Sequence, residues 1–265
     1  MDSIEKLIGY YNKSDEEDMY HKIVGHILNN LPKVGDATIY DLADLCYSSP
    51  STISRLMKKL EFENYTDFKT KILYALKNYR YLNRNTREVD IAEDGDIVPL
   101  YFNFLMNNIS ALKESFRYEQ IARISDHFHE AGEVLFYSYP EVQVDILQKA
   151  LIVTGKKACF YDSIVLQENS LERVKEDTVV FAVIPNLIEM APMRSILKKT
   201  KAQGAIVITV CSEKRNDYTK YSDIQINFDG TKTSMDLYLF MILTNLIKYD
   251  YCHRYADNLI EELYD

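Results

Sequence analysis

Ser48–Phe62 reads SSPSTISRLMKKLEF, and the way this stretch winds decides what the surrounding chain can be. Ser49 suits an N-cap, with Pro50 at the first helical position, where its missing N–H costs nothing. Ile53, Leu56, Met57 and Leu60 then recur at helical spacing. A helix of about 3.6 residues per turn leaves Ser51, Thr52, Arg55, Lys58 and Lys59 on the opposite face. A helix from about Pro50 to Glu61 therefore has a stripe to bury and a hydroxyl-rich, cationic face to present.

The residues just before it form a second helix. Thr38 and Asp41 make a capping-box pair, and Ile39, Leu42, Ala43 and Cys46 follow at i, i+3, i+4 and i+7. Only Tyr47 and Ser48 separate this helix from the next, the spacing of a helix-turn-helix, whose second helix enters the major groove. Hydroxyls in the first turn can donate to phosphates or base edges, an arginine one turn on can grip guanine, and lysines can neutralise the backbone. An ordinary solvated, lysine-rich face is the competing explanation. Further helices are expected upstream, capped by Ser14 with Glu17 and closed by Pro32, and downstream from about Thr66 to Tyr79.

Charge sharpens the picture. The chain has 265 residues and a formal net charge of -9, so no global positive field draws it to nucleic acid. Met1–Arg84 nevertheless balances 12 basic against 12 acidic side chains, and the remainder carries 19 against 28. Arg55, Lys58, Lys59, Lys69, Lys71, Lys77, Arg80 and Arg84 make Ser48–Arg84 a basic block in an acidic protein. The N-terminus lacks a basic-then-apolar leader and no apolar run is long enough to span a bilayer, so a cytoplasmic protein without membrane partners is expected. Four scattered cysteines without a CxxC pair fit buried thiols in a reducing compartment.

Residues 1–82 are thus expected to form an all-α helix-turn-helix domain, and the polar stretch 83–99 a linker. Residues 100–265 change character. After helices near Leu100–Ser115 and Tyr118–Ala131, short β-rich runs (VLFYS, KACFY, TVVFAVI, AIVITV, DIQINF) alternate with helical lengths over Val142–Val153 and Met190–Gln203. That alternation predicts an α/β domain with a parallel sheet flanked by helices. A final helix, Ser234–Tyr264, carries more apolar surface than a terminal tail needs and is expected to pack on a partner subunit.

LADLCYSSPSTISRLMKKLEFENYTDFK resembles the N-terminal domain of the RpiR/MurR family of bacterial transcriptional regulators. The resemblance rests on Leu42-Ala43, Ser49, Thr52-Ile53, Arg55, Lys59-Leu60, Phe62 and Phe68. It implies Ser49, Ser51, Thr52, Ser54, Arg55, Lys58 and Lys59 as the DNA-facing set. It also implies a double-stranded operator as partner, control of carbohydrate-metabolism genes, and a homodimer or dimer of dimers held by a sugar isomerase-type (SIS) second domain that senses a small sugar-derived effector. Two positions depart from the family pattern: Glu61 stands where glycine is usual, and Ser48 where an apolar residue is usual.

The sensor residues depart further. Where the family places a glycine-rich turn after the first strand, this chain has Phe136, Ser138 and Pro140. Where it places a hydroxyl-rich cradle after the third strand, this chain has Pro185, Leu187, Ile188 and Met190. A phosphate cradle needs glycines, hydroxyls and free amides, and Glu141 and Glu189 would meet an anion with like charge. Ser138, Asn186, Glu189 and Thr209 are the remaining candidates for an effector of another kind. A sugar-phosphate isomerase is the alternative the fold suggests, but it would lack its substrate anchor. A decayed regulator serving as a protein-interaction module is the other alternative. No catalytic residue, metal site or cofactor is implied. His127 and His129 lie two apart on a helix and cannot share a metal, and His21, His26 and His253 have no convincing companion.

Overall fold

The computed structural model describes residues 3–83, 96–138, 142, 144–185, 191–213, 218–231 and 235–256. They form two compact units divided after Asn83. The first unit is helical: α1 (Ser3–Lys13), α2 (Met19–Asn29), α3 (Leu31–Val34), α4 (Ile39–Leu45), α5 (Pro50–Lys59) and α6 (Tyr65–Asn83). Its core joins Leu7 of α1, Ile23, Val24 and Ile27 of α2, Leu42 and Ala43 of α4, the Ile53/Leu56/Met57 stripe of α5 with Leu60, and Phe68 and Ile72 of α6.

Several local expectations change. The Ser14/Glu17 capping box does not form. Asp18 caps α2 instead, accepting from the Tyr20 N–H, while Ser14 Oγ pairs with His21 Nδ1 and the Glu17 N–H donates to Asp15. A carboxylate immediately before the helix, four residues beyond Ser14, outcompetes the hydroxyl for the first free amides. Pro32 does not close α2 but sits in the first turn of α3, where a missing N–H is harmless. Ile97–Pro99, read as the end of the linker, form the first turn of the next helix, because the Asp96 carboxylate accepts the Val98 N–H at 3.0 Å and nucleates it there. Residues 84–95 lie outside the described residues.

The second unit contains α7 (Ile97–Lys113), α8 (Tyr118–Glu130), β1 (Glu133–Tyr137), α9 (Asp145–Val153), β2 (Lys157–Tyr161), α10 (Ile164–Ser170), β3 (Thr178–Ile184), α11 (Ala191–Ala202), β4 (Ile206–Cys211), β5 (Ile224–Asn227) and α12 (Met235–Tyr255). The five strands are parallel in the order β2-β1-β3-β4-β5. Central β3 is buried along its whole length, as a strand covered on both faces must be. Val134, Phe136, Phe181, Ile208 and Val210 pack toward α8, α9 and α12, and Leu135, Tyr137, Val180, Ala182 and Val207 toward α11. The two-residue period of the strand thus fills two separate cores. The final helix ends at Tyr255 in the described residues, and Ser234 and residues 257–265 lie outside them.

Among the described residues, four helix ends use a left-handed residue, and they divide into two kinds. Gly155 and Gly204 occupy it with φ of 81° and 86°, where glycine has no Cβ to strain. Tyr47 and Glu61 occupy it with φ of 50° and 63°, at the ends of α4 and α5. Glycine is the residue usual at the Glu61 position in the resembling family, and the left-handed turn is the physical reason. Glu61→Gly is expected to raise the stability of the first unit by about 0.5–1 kcal/mol in urea unfolding. Glu61→Ala keeps the strain and loses only the exposed ion pair to Lys6 (3.1 Å), so its midpoint should not rise.

Candidate nucleic-acid interface and sheet-edge site

The first candidate site is the exposed face of α5. Helix α4 begins with a complete capping box: Thr38 Oγ1 accepts the Asp41 N–H, and Asp41 accepts the Thr38 N–H at 2.8 Å. It ends in a Schellman turn, with the Ser48 N–H bonded to Ala43 O (2.8 Å) and the Tyr47 N–H to Asp44 O (3.1 Å). Ser49 then caps α5 by accepting the Thr52 N–H at 3.2 Å, and its hydroxyl also meets Ser51 Oγ (2.8 Å) and Thr52 Oγ1 (2.9 Å). The other end closes in the same way, Phe62 N–H to Met57 O and Glu61 N–H to Lys58 O. Both ends of the helix are therefore fixed by hydrogen bonds, and its buried stripe fixes its rotation.

Ser49, Ser51, Ser54, Arg55, Lys58 and Lys59 are exposed and Thr52 is half-buried. At about 100° per residue, Ser51, Arg55 and Lys58 lie opposite the buried stripe. The side chains of Arg55 and Lys58 make no hydrogen bond or ion pair among the described residues, so both cations are available to a ligand. Lys59 differs. Its ammonium lies over the rings of Tyr20 (4.7 Å) and Tyr10 (5.1 Å) and 3.9 Å from Asp18 Oδ2. Two aromatic faces and a carboxylate draw it toward α1 and α2 and away from Arg55. Sequence reasoning grouped it with the outward set because Tyr10 and Tyr20 come from helices whose packing periodicity alone does not reveal. Tyr47, in the turn, is 88% exposed and edges onto His26.

The second candidate site is the carboxyl end of the sheet between β1 and β3. The helices after these adjacent strands lie on opposite faces, α9 on one and α11 on the other, so the strand order reverses direction here, at the position where open parallel sheets bind ligands. Ser138, just past β1, is fully buried; its carbonyl accepts Gln167 Nε2 at 3.0 Å, and neither its hydroxyl nor Gln167 Oε1 has a hydrogen-bond partner among the described residues. Asn186 and Glu189 lie outside the described residues. Thr209 is buried mid-strand on β4, two strands away from β1, with Oγ1 2.8 Å from Ser222 Oγ. It shares the face of Val207 and Cys211 against α11, so the structure does not bring it together with Ser138. Sequence reading missed Gln167, which belongs to α10, a helix too short for its pattern to register.

The reactive groups are otherwise tied down. Burial pushes the Cys46 thiol up to about 11 and the Cys211 thiol up to about 12, so neither ionises near neutrality. His129 stacks on Tyr255, and among the described residues no group of three or more His, Cys, Asp or Glu is placed to hold a metal ion. Among the same residues no helix is long and apolar enough to cross a membrane.

A capped two-helix reader followed along the chain by a parallel α/β unit is the arrangement of a class of DNA-binding transcriptional regulators. Within it, residues 3–78 match the family described as "Helix-turn-helix domain, rpiR family", and the first unit is a domain of that kind. No curated protein matches the chain. Among solved structures, the NanR protein of Vibrio vulnificus, complexed with ManNAc-6P, is similar over 97% of this chain and 93% of its own (TM-score 0.51, 17% identity). The sugar isomerase domain of an RpiR transcription factor from Sphaerobacter thermophilus is similar over 63% of this chain and 97% of its own (TM-score 0.53, 12% identity). A candidate sugar-phosphate isomerase from Listeria monocytogenes matches over 65% of this chain and 98% of its own (TM-score 0.53, 11% identity). At these identities the likeness establishes the fold: the second unit has the sugar isomerase fold, which regulators and isomerases share.

The cap carboxylates make the first unit sensitive to acid. Hydrogen bonds from the Tyr10 hydroxyl and the Tyr20 N–H hold Asp18 below the usual carboxylate range, and those from the Thr38 hydroxyl and N–H do the same for Asp41. Both folded values are depressed, so the stabilisation is present above the unfolded carboxylate value of about 4 and is lost as pH falls through the folded values. The melting temperature of the first unit followed from pH 6 to pH 2 is expected to fall below pH ~4, and Asp18→Asn should flatten part of that fall.

Proposed function

We propose that this protein is a cytoplasmic, non-enzymatic regulator that binds operator DNA as a homodimer, one α5 helix in the major groove of each half-site. The observation that carries the reading is the unpaired Arg55 and Lys58 on the outer face of a helix whose other face is fully buried. Ser49, Ser51 and Thr52 cluster their hydroxyls at the helix N-terminus, where a phosphate oxygen could be met, and Ser54 flanks them. Lys59 supports the helix from behind by its contacts to Tyr10, Tyr20 and Asp18.

Control of the reader falls to the second unit, and its sequence favours something other than a phosphosugar held in a glycine-rich loop. The Vibrio vulnificus relative is complexed with a sugar phosphate, and the likeness supports genes of carbohydrate metabolism as the targets. In this chain, however, prolines and large apolar residues occupy the segments that would cradle the phosphate. The fully buried Ser138 hydroxyl and Gln167 amide suit a neutral polar group better than an anion. The same reasoning disfavours an isomerase, since substrate anchoring and positioning are lost together.

Duplex fragments selected by the purified protein from genomic DNA test the DNA reading. Affinity for a recovered site should fall steeply with salt; Arg55→Ala should cost about 1–3 kcal/mol and relax preference at one base pair, and Lys58→Ala should lower the salt slope by about 1. No selected fragment, or affinity indifferent to both changes, would overturn it. A panel of hexose and aminosugar phosphates should neither react nor raise the melting temperature; a rise of several degrees with any of them would restore the phosphosugar mode.

A further inference from the structure

We propose that the second unit carries a site for a small organic amine, in the groove where the end of α7 meets α8 and α12 around Asp250. None of the groove's residues belongs to the sheet-edge site, and the inference stands whether or not α5 binds DNA.

The groove has a volume of about 620 Å³, and Phe116, Ile121, Leu246 and Tyr249 give it apolar walls. Small-molecule pockets span about 300–1,000 Å³ and are walled in the same way, with a few polar groups that orient the ligand. Phe116 follows α7, Ile121 comes from α8, and Leu246 and Tyr249 come from α12. One carboxylate, Asp250, lies among them. Its side chain is only 8% exposed, and a charge so placed ordinarily has its hydrogen bonds filled. Here one oxygen is left over. The carboxylate accepts from the Tyr118 hydroxyl, but Oδ2 has no hydrogen-bond donor among the described residues. Arg254, one turn further along α12, stands 3.7 Å from that oxygen, beyond hydrogen-bond reach. Its guanidinium is drawn the other way, donating to Ala122 O at 2.8 Å and pairing with Asp126.

The leftover oxygen selects the ligand. An anion such as a sugar phosphate meets like charge at Asp250 in apolar surroundings, where repulsion is strong. A neutral hydroxyl also donates to such an oxygen, but an ammonium makes a charge-assisted bond of about twice the strength. The apolar walls then take the remainder of the molecule, which fits a primary amine carried on a ring or a short hydrocarbon chain. Lys113 and His253 line the same groove, but both are exposed, and water screens their charge from Asp250.

Calorimetric titration of the full-length protein with benzylamine, benzyl alcohol and benzoate tests this, with the melting temperature as a parallel readout. Benzylamine should bind and raise the melting temperature, benzyl alcohol should bind about 10-fold more weakly, and benzoate should not bind. Asp250→Asn keeps the shape and removes the charge, and should weaken benzylamine by about 10-fold or more. Hydrogen exchange of the wild-type protein is the second measurement and needs no variant: benzylamine should raise protection over residues 113–121 and 246–253. No binding of benzylamine, equal binding of the amine and the alcohol, undiminished binding to Asp250→Asn, or protection that rises only outside those two segments overturns the proposal. The first of these is the result expected if a second copy of the chain covers the groove.

Discussion

The presentation of α5 depends on a left-handed backbone at Tyr47. A turn of two residues can redirect the chain from α4 to α5 only if one of them leaves the right-handed region, and here a tyrosine with φ of 50° does so. For a residue with a Cβ this costs about 1–2 kcal/mol. The turn gains two backbone hydrogen bonds in return, and it delivers Ile53, Leu56 and Met57 into the core with no exposed surface. Each such burial contributes about 1.5–3 kcal/mol, so packing outweighs the strain several-fold and holds the turn in place. The outer face inherits its direction from the inner one: Arg55 and Lys58 point outward because the stripe between them points in.

That hierarchy explains why the reading helix was legible in the sequence. Cap, proline, stripe and charge all lie within fifteen consecutive positions and agree with one another, and local signals that agree are the ones a sequence reveals. The sheet was legible for a similar reason, since β-rich runs such as TVVFAVI admit little besides a strand buried on both faces. What escaped were choices between near-equal local partners. Asp18 rather than Ser14 caps α2, and Pro32 opens a helix rather than closing one, because an offset of a few residues decides each and composition is the same either way. Helix α1 was passed over although Ile4, Leu7, Ile8 and Tyr11 carry the period. The outward set implied by resemblance included Lys59, whose actual surroundings, Tyr10, Asp18 and Tyr20, come from residues 39 to 49 positions away.

The sheet-edge site was legible only in part, and the reason is again one of range. Ser138 is recognisable as the residue after β1, but its partner Gln167 sits in α10, and nothing local marks that glutamine as buried. Thr209 carried the right chemistry at a strand end in the sequence. In the structure its hydroxyl is committed to Ser222 on the face toward α11, so equal promise in sequence became unequal placement in the fold. A buried hydroxyl already paired is structural. One left without a partner, as at Ser138, is the group whose desolvation a ligand could offset.

Electrostatics joins the two units on the proposed reading. A single α5 offers two free cations, and counterion release from so few phosphate contacts supports only weak, strongly salt-dependent binding. The second unit, with 20 basic against 28 acidic side chains, adds no attraction to a polyanion and would repel it at close range. Affinity sufficient for an operator then has to come from two readers bound at once, the second at the effective concentration that a link to the first provides. Such a link must itself avoid the acidic surface. On the same reading, an effector that alters the spacing between copies would change operator binding without touching Arg55.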